Sequence, residues 1–236
     1  MTRGIGPCLA LVDSCCGITY GHLEKREETT MRTRNKVVAG VAAGALALTS
    51  LVATPAQAAG TTSLATVLNT ANASYDRNWA DFDILTAAVN AVLTAKPTSA
   101  VSVLADGTKE LTAFIPTDRA FRKLVKDLGG KTLKTEAKVF EAVAALGIDT
   151  VEQVLLYHVV LGAPITKAAA QAVPAGTTLT TAQGGTITVR VGTSLILRDK
   201  ATKNSNPKVI LNRADINAGN NQIAHAIDRV LLPIQP

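Results

Sequence analysis

Apolar positions recur at helical spacing through the first half of the chain and at strand spacing through much of the second. After Ser63, a good helix N-cap, Leu64, Val67 and Leu68 repeat every three to four residues. Phe82, Leu85, Val89, Val92 and Leu93 make a longer apolar face that ends near Lys96-Pro97. Leu111-Thr112-Ala113-Phe114-Ile115 reads as a short strand stopped by Pro116. Thr117 is placed to cap the following helix, and Asp118 falls in its first turn, where a carboxylate favours the helix dipole. That helix buries Phe121, Leu124, Val125 and Leu128 and ends at Gly129. Val139, Phe140 and Val143 mark another helix, closed by Gly147. Thr150-Val151-Glu152-Gln153 has the form of a capping box opening a third, which carries Val154, Leu155 and His158 into Val159-Val160-Leu161.

The second half reads as strands. Gly184-Gly185 is a turn, and Ile187, Val189 and Val191 alternate with Thr188 and Arg190. Leu195-Ile196-Leu197 and Val209-Ile210-Leu211 are short apolar runs around the polar loop 199–208, and Ile223, His225 and Ile227 share one strand face. Helices followed by strands, without βαβ alternation, predict an α+β fold.

The N-terminus changes the picture of where the protein works. Arg32, Arg34 and Lys36 precede a mostly apolar stretch from Val37 to Val52, and Ala56-Gln57-Ala58 has the A-x-A form of a signal cleavage site. The stretch is shorter than the ~20 residues that span a bilayer and contains Gly40 and Gly44. The expectation is a signal peptide over 31–58 that starts at Met31, a misassigned upstream extension over 1–30, and one domain over 59–236 with no stable membrane span after cleavage. Cys8, Cys15 and Cys16 would leave with the leader, so no disulfide framework or thiolate metal site is expected in the mature chain. The product is expected to be secreted, or loosely associated with the cell wall.

Charge and composition narrow the function. A formal charge of +6 without a long basic run, and an aromatic content of 3%, are not the dense basic stripe and stacking platforms of a nucleic-acid module, so no nucleic-acid partner is expected. No serine sits in a G-x-S-x-G elbow, and no glycine-rich phosphate loop occurs. His158 and His225 stand far apart in sequence among apolar neighbours and read as satisfied core groups. His158 is expected to bond a polar group such as the Thr117-Asp118 turn. Asp81 and Asp83 look like a fragment of a calcium loop whose glycine and remaining ligands are absent downstream, so they read as capping residues and no metal site is expected. The chain is therefore not expected to be an enzyme or to need a cofactor. Lys200, Lys203 and Lys208 make the most cationic short stretch and read as a solvated loop, with contact to anionic wall polymer as its functional alternative.

Three segments carry a family resemblance. The run from Leu111 to Phe121 resembles the first signature of fasciclin-like domains, Leu155-Leu156-Tyr157-His158-Val159-Val160 their central Tyr-His motif, and the run from Ala218 to Pro233 their closing signature. Their order and separations fit as well, and the chain most resembles the secreted single-domain members from actinobacteria. The resemblance implies a compact β-wedge of two short packed sheets flanked by helices, with Thr117, Asp118, His158 and His225 as motif residues. It also implies extracellular adhesion to matrix, cell wall or protein partners. In some animal relatives the positions matching Tyr157, His158, Asp215 and Ile216 are assigned to integrin contact. The flanks of Asp215-Ile216 lack that motif's proline and acidic residue, and the chain has no Arg-Gly-Asp. The alternative reading, also drawn from the family, is a carrier of an apolar small molecule such as a lipid or carotenoid. Its pocket would be lined by Trp79, Phe82 and nearby aliphatics in the extended front end, 73–109.

Overall fold

A computed structural model describes residues 59–71, 74–202 and 205–234. They lie in Thr54–Pro236, one of two units into which the chain divides. The upstream segment with its cysteines, the signal-like segment 31–58 and Lys203 lie outside the described residues.

The helices are α1 (Leu64–Ala71), α2 (Asp83–Ala95), α3 (Asp118–Gly129), α4 (Glu136–Ala144), α5 (Ile148–Tyr157) and α6 (Lys167–Ala172). The strands are β1 (Leu111–Pro116), β2 (Val159–Leu161), β3 (Thr178–Thr180), β4 (Thr186–Val191), β5 (Leu195–Arg198) and β6 (Gln222–Ile227). They form two three-stranded sheets, ordered β2-β1-β6 and β3-β4-β5. The fold is α+β. Its central strand β1 runs antiparallel to β2, with Leu111 opposite Leu161, and parallel to β6, with Phe114 opposite His225.

Both faces of β1 are buried, and its alternation splits the core in two. Ala113 and Ile115 face a core shared with Leu64 of α1, Val89 of α2, Phe121 of α3 and Leu155 of α5. Phe114 points the other way, into a second core with Ile187, Val189, Leu195 and Leu197 of the smaller sheet. Ile227 of β6 joins that second core while Ala224 and Ala226 join the first, which is why β6 reads as an unbroken buried run.

Several local expectations change. The run Val209-Ile210-Leu211 is not a strand. Lys208 bridges Ile196 of one sheet and Val209 bridges Ile227 of the other, so the segment crosses between sheets too quickly to form a ladder, and Leu211–Arg213 closes into a 3-10 turn. The capping box at Thr150 does not form. Helix α5 already starts at Ile148 after Gly147, and Glu152 turns out to Lys96 Nζ at 2.6 Å and Ser99 Oγ at 2.5 Å. Thr117 occupies the N-cap of α3 without a side-chain cap bond. Leu128, expected on the buried face of α3, is 44% exposed.

Candidate functional site

Two features stand out among the described residues: an apolar groove and a cluster of carboxylates. The groove runs between α3, α4, α5 and the segment after β6, and encloses about 480 Å³. Phe121, Leu124, Val143, Val151, Val154 and Leu232 line it. Leu128, Leu146 and Ile234 also line it and stay exposed, Leu146 by 42%. Each of the three ends or follows a helix or strand, where no neighbouring element covers it. Large apolar residues at element ends are the one sequence feature that marks the groove, and Leu128 reads there as a buried position instead.

The pocket expected around Trp79 and Phe82 is not where the apolar space lies. The Arg122 guanidinium sits 4.1 Å over the Trp79 ring, and Arg213 sits 4.7 Å over Phe82. Phe82 is buried and borders a more polar recess that also includes Asp76, Asp81 and Arg213.

Tyr157 and His158 are both buried. Tyr157 Oη donates to Thr186 O at 2.7 Å, and burial followed by the charge of Asp199 pushes its hydroxyl up to about 12. His158 ends α5 and lines the groove. Its Nδ1–H donates to Val154 O at 2.7 Å, and its Nε2 accepts from the Leu231 N–H at 2.9 Å. These backbone partners replace the expected Thr117-Asp118 turn. Burial holds its ring down at about 4, so it is neutral at physiological pH.

His225 is built the same way. Its Nε2–H donates to Ile165 O at 2.7 Å and its Nδ1 accepts from the Asp215 N–H at 3.2 Å. Burial lowers its pKa as well. Asp215, half-buried at φ +57°, accepts from the Lys167 N–H at 2.6 Å and so holds the start of α6. Ile216 bridges Ala224 of β6. The Tyr157-His158 turn and the Asp215-Ile216 segment are thus tied into backbone hydrogen bonding on either side of the central sheet.

Asp118 does not stay within its own helix. Its Oδ1 accepts from the Ile84 N–H at 2.9 Å and its Oδ2 from the Asp83 N–H at 3.2 Å, so it caps α2 from the start of α3. Burial, then its contact with the Asp81 carboxyl, pushes Asp118 up to about 8. Burial and the charges of Asp81, Asp76 and Glu136 push Asp83 up to about 6. Lys200 and Lys208 of the cationic loop are exposed.

The architecture is an α+β domain of two three-stranded sheets with helices packed on the central strand's core. The fasciclin domain family model matches residues 83–233, more than half of the chain, and the chain belongs to that family. As a class, fasciclin domains are adhesion and binding modules rather than enzymes, typically extracellular or at the cell surface, and they bind protein or matrix partners. Among solved structures the chain is similar to a FAS1 domain pair from the insect cell adhesion molecule Fasciclin I. The identity is 17%, the TM-score 0.49, and the match covers 72% of this chain and 51% of that one. The chain thus spans about half the length of that relative. No curated protein matches it. Among the described residues, no helix is long and apolar enough to cross a membrane.

Proposed function

We propose that this chain is an exported fasciclin-type binding module that holds an apolar small molecule, of lipid or carotenoid character, in the groove between α3, α4 and α5. The observation that carries the reading is the groove itself. Its volume of about 480 Å³ falls in the ~300–1,000 Å³ range of small-molecule sites, and its wall is overwhelmingly aliphatic and aromatic. Leu128 and Leu146 leave apolar surface in solvent at its mouth, which a bound apolar ligand would cover. Export rests on the signal-like segment 31–58.

A second reading, direct adhesion to matrix, cell wall or a protein, is favoured by membership of a family of adhesion modules. In that case neither Tyr157 nor His158 touches the partner, because both are buried. Asp215 and Ile216, only half-buried, would be the contact residues.

The two readings separate in the native and denatured masses of the protein taken from its producer's culture medium. A carrier shows a native excess that is lost on denaturation, and a denatured mass starting at Ala59 supports export. In vitro, a lipophilic fluorescent probe should bind the full chain, and Val154→Arg, which puts a charge in the half-buried groove wall, should weaken it at least tenfold. No mass excess together with probe binding indifferent to Val154→Arg rejects the carrier reading.

A further inference from the structure

Five carboxylates meet where the segment 76–82 passes the first residues of α2, α3 and α4. Asp81, Asp83 and Asp118 each bring one oxygen into a set whose members lie within 4.8 Å of one another, and Asp76, Asp81 and Glu136 make a second such set. Asp83 is 4% exposed and Glu136 2%. Among the described residues, the buried side-chain atoms with no hydrogen-bond partner are Asp81 Oδ1, Asp83 Oδ2 and Glu136 Oε1, and all three belong to this cluster. Among the same residues, no lysine or arginine forms an ion pair with any of the five acids.

Helix starts explain part of this arrangement. Asp118 accepts two N–H groups of α2, and Glu136 Oε2 accepts from the Arg77 N–H at 3.1 Å. Asp83, Asp118 and Glu136 each open a helix, and a helix N-terminus presents about half a positive charge. Three such termini supply roughly +1.5 against five carboxylates. They leave the three orphaned oxygens without donors, although buried polar atoms are nearly always partnered. With all five ionised the balance is roughly −3.5, and one divalent ion would offset more than half of it.

The geometry points to a divalent-cation site, calcium by the chemistry of its donors, held by Asp81, Asp83 and Asp118 with Asp76 and Glu136 beside them. Every donor is a carboxylate oxygen, which selects a hard cation over zinc or copper. Irregular ligand placement from a loop and two helix starts suits the flexible coordination of calcium better than the strict octahedron of magnesium. The site escapes a sequence scan for a contiguous loop because Asp118 and Glu136 come from other helices.

The test uses the full chain, stripped of metal with EDTA and titrated with CaCl2 by calorimetry and by melting. Saturable binding with Kd on the order of 10⁻⁴ M is expected, and 10 mM CaCl2 should raise Tm by about 5 °C. MgCl2 at the same concentration should give a clearly smaller shift. Tb³⁺ should show luminescence sensitised by Trp79, the only tryptophan, which lies in the same segment, and CaCl2 should quench it. Asp83→Asn should weaken calcium binding at least tenfold. Asp81→Asn, at a half-buried position, serves the same purpose if Asp83→Asn does not fold. The site is overturned if the wild type shows neither heat nor shift. It is equally overturned if the folded variant responds like the wild type, or if magnesium matches calcium.

Discussion

His158 and His225 lie as deep in this domain as Asp83 and Glu136, yet their polar atoms are treated in opposite ways. Each imidazole is neutral and has both nitrogens matched to a backbone group, one as donor and one as acceptor. Asp83 and Glu136 each keep an oxygen with no donor at all. Burial alone therefore does not distinguish structural from functional polar groups. Satisfaction does: the histidines complete the fold's own hydrogen bonding, while the acids leave capacity for something from outside.

The sharpest way to break this comparison is to remove His158. His158→Ala leaves the buried Leu231 N–H without its acceptor and empties the space of a fully packed ring. A loss of about 4 kcal/mol at pH 7 is expected in urea unfolding. The loss should shrink with acid. The ring stays neutral in the fold down to about 4, but in the unfolded chain it takes up a proton below its ordinary value of about 6.5. Stability from this group is fully present above 6.5 and is lost as pH falls toward 4, by about 3 kcal/mol. Asp118 and Asp83, raised to about 8 and about 6, act in the other direction and favour the fold at low pH. The measurement is therefore the wild-type-minus-variant difference, which cancels them. It should fall from about 4 to about 1 kcal/mol between pH 7 and pH 4, and a difference that does not change with pH would contradict a neutral buried His158.

A smaller effect probes the neighbouring Tyr157. A Cβ on Gly185 would stand 2.7 Å from Tyr157 Cε2, so Gly185→Ala must displace the ring that bonds Thr186 O. A loss of about 2 kcal/mol is expected. Gly184→Ala meets open space but sits at φ +92°, and should cost only about 1 kcal/mol through backbone strain. Comparable losses for the two would mean that the Tyr157 ring yields easily.

The Gly184-Gly185 pair also shows how far the sequence could be read. A turn there was legible, because two glycines between alternating segments have little other use. The packing of Gly185 against Tyr157 was not, since nothing local to either residue announces the contact. The same division holds more widely. Helices α2, α3 and α5 and strands β1, β4 and β6 were visible through their apolar periodicity. Strand β3 and helix α6 were not, because Thr178–Thr180 is largely solvated and Lys167–Ala172 buries only Ala170. The α+β class followed from local patterns, whereas the two-core split follows from β1 being central, which only pairing reveals. The apolar groove between α3, α4 and α5 is hidden in the sequence for a similar reason. Trp79 and Phe82 are the large aromatics of the front end, but each is covered by an arginine, while the smaller Leu128 and Leu146 stay open. Asp118 lies in the first turn of α3 as expected, while its oxygens also cap α2, a contact that nothing local to the sequence announces.

The smallest expected effect is the one that tests the comparison from the acidic side. In EDTA, Asp83→Asn replaces a buried carboxylate among like charges with an amide that can donate to the orphaned oxygens around it. A stability change between zero and a gain of about 1 kcal/mol is expected, although the residue is as buried as His158. In saturating calcium the sign should reverse, because the wild type then gains binding energy that the variant lacks. A substantial loss in EDTA would place Asp83 with His158, as a group the fold itself needs. A neutral or favourable change would keep it with the groups that the fold holds ready at its own expense.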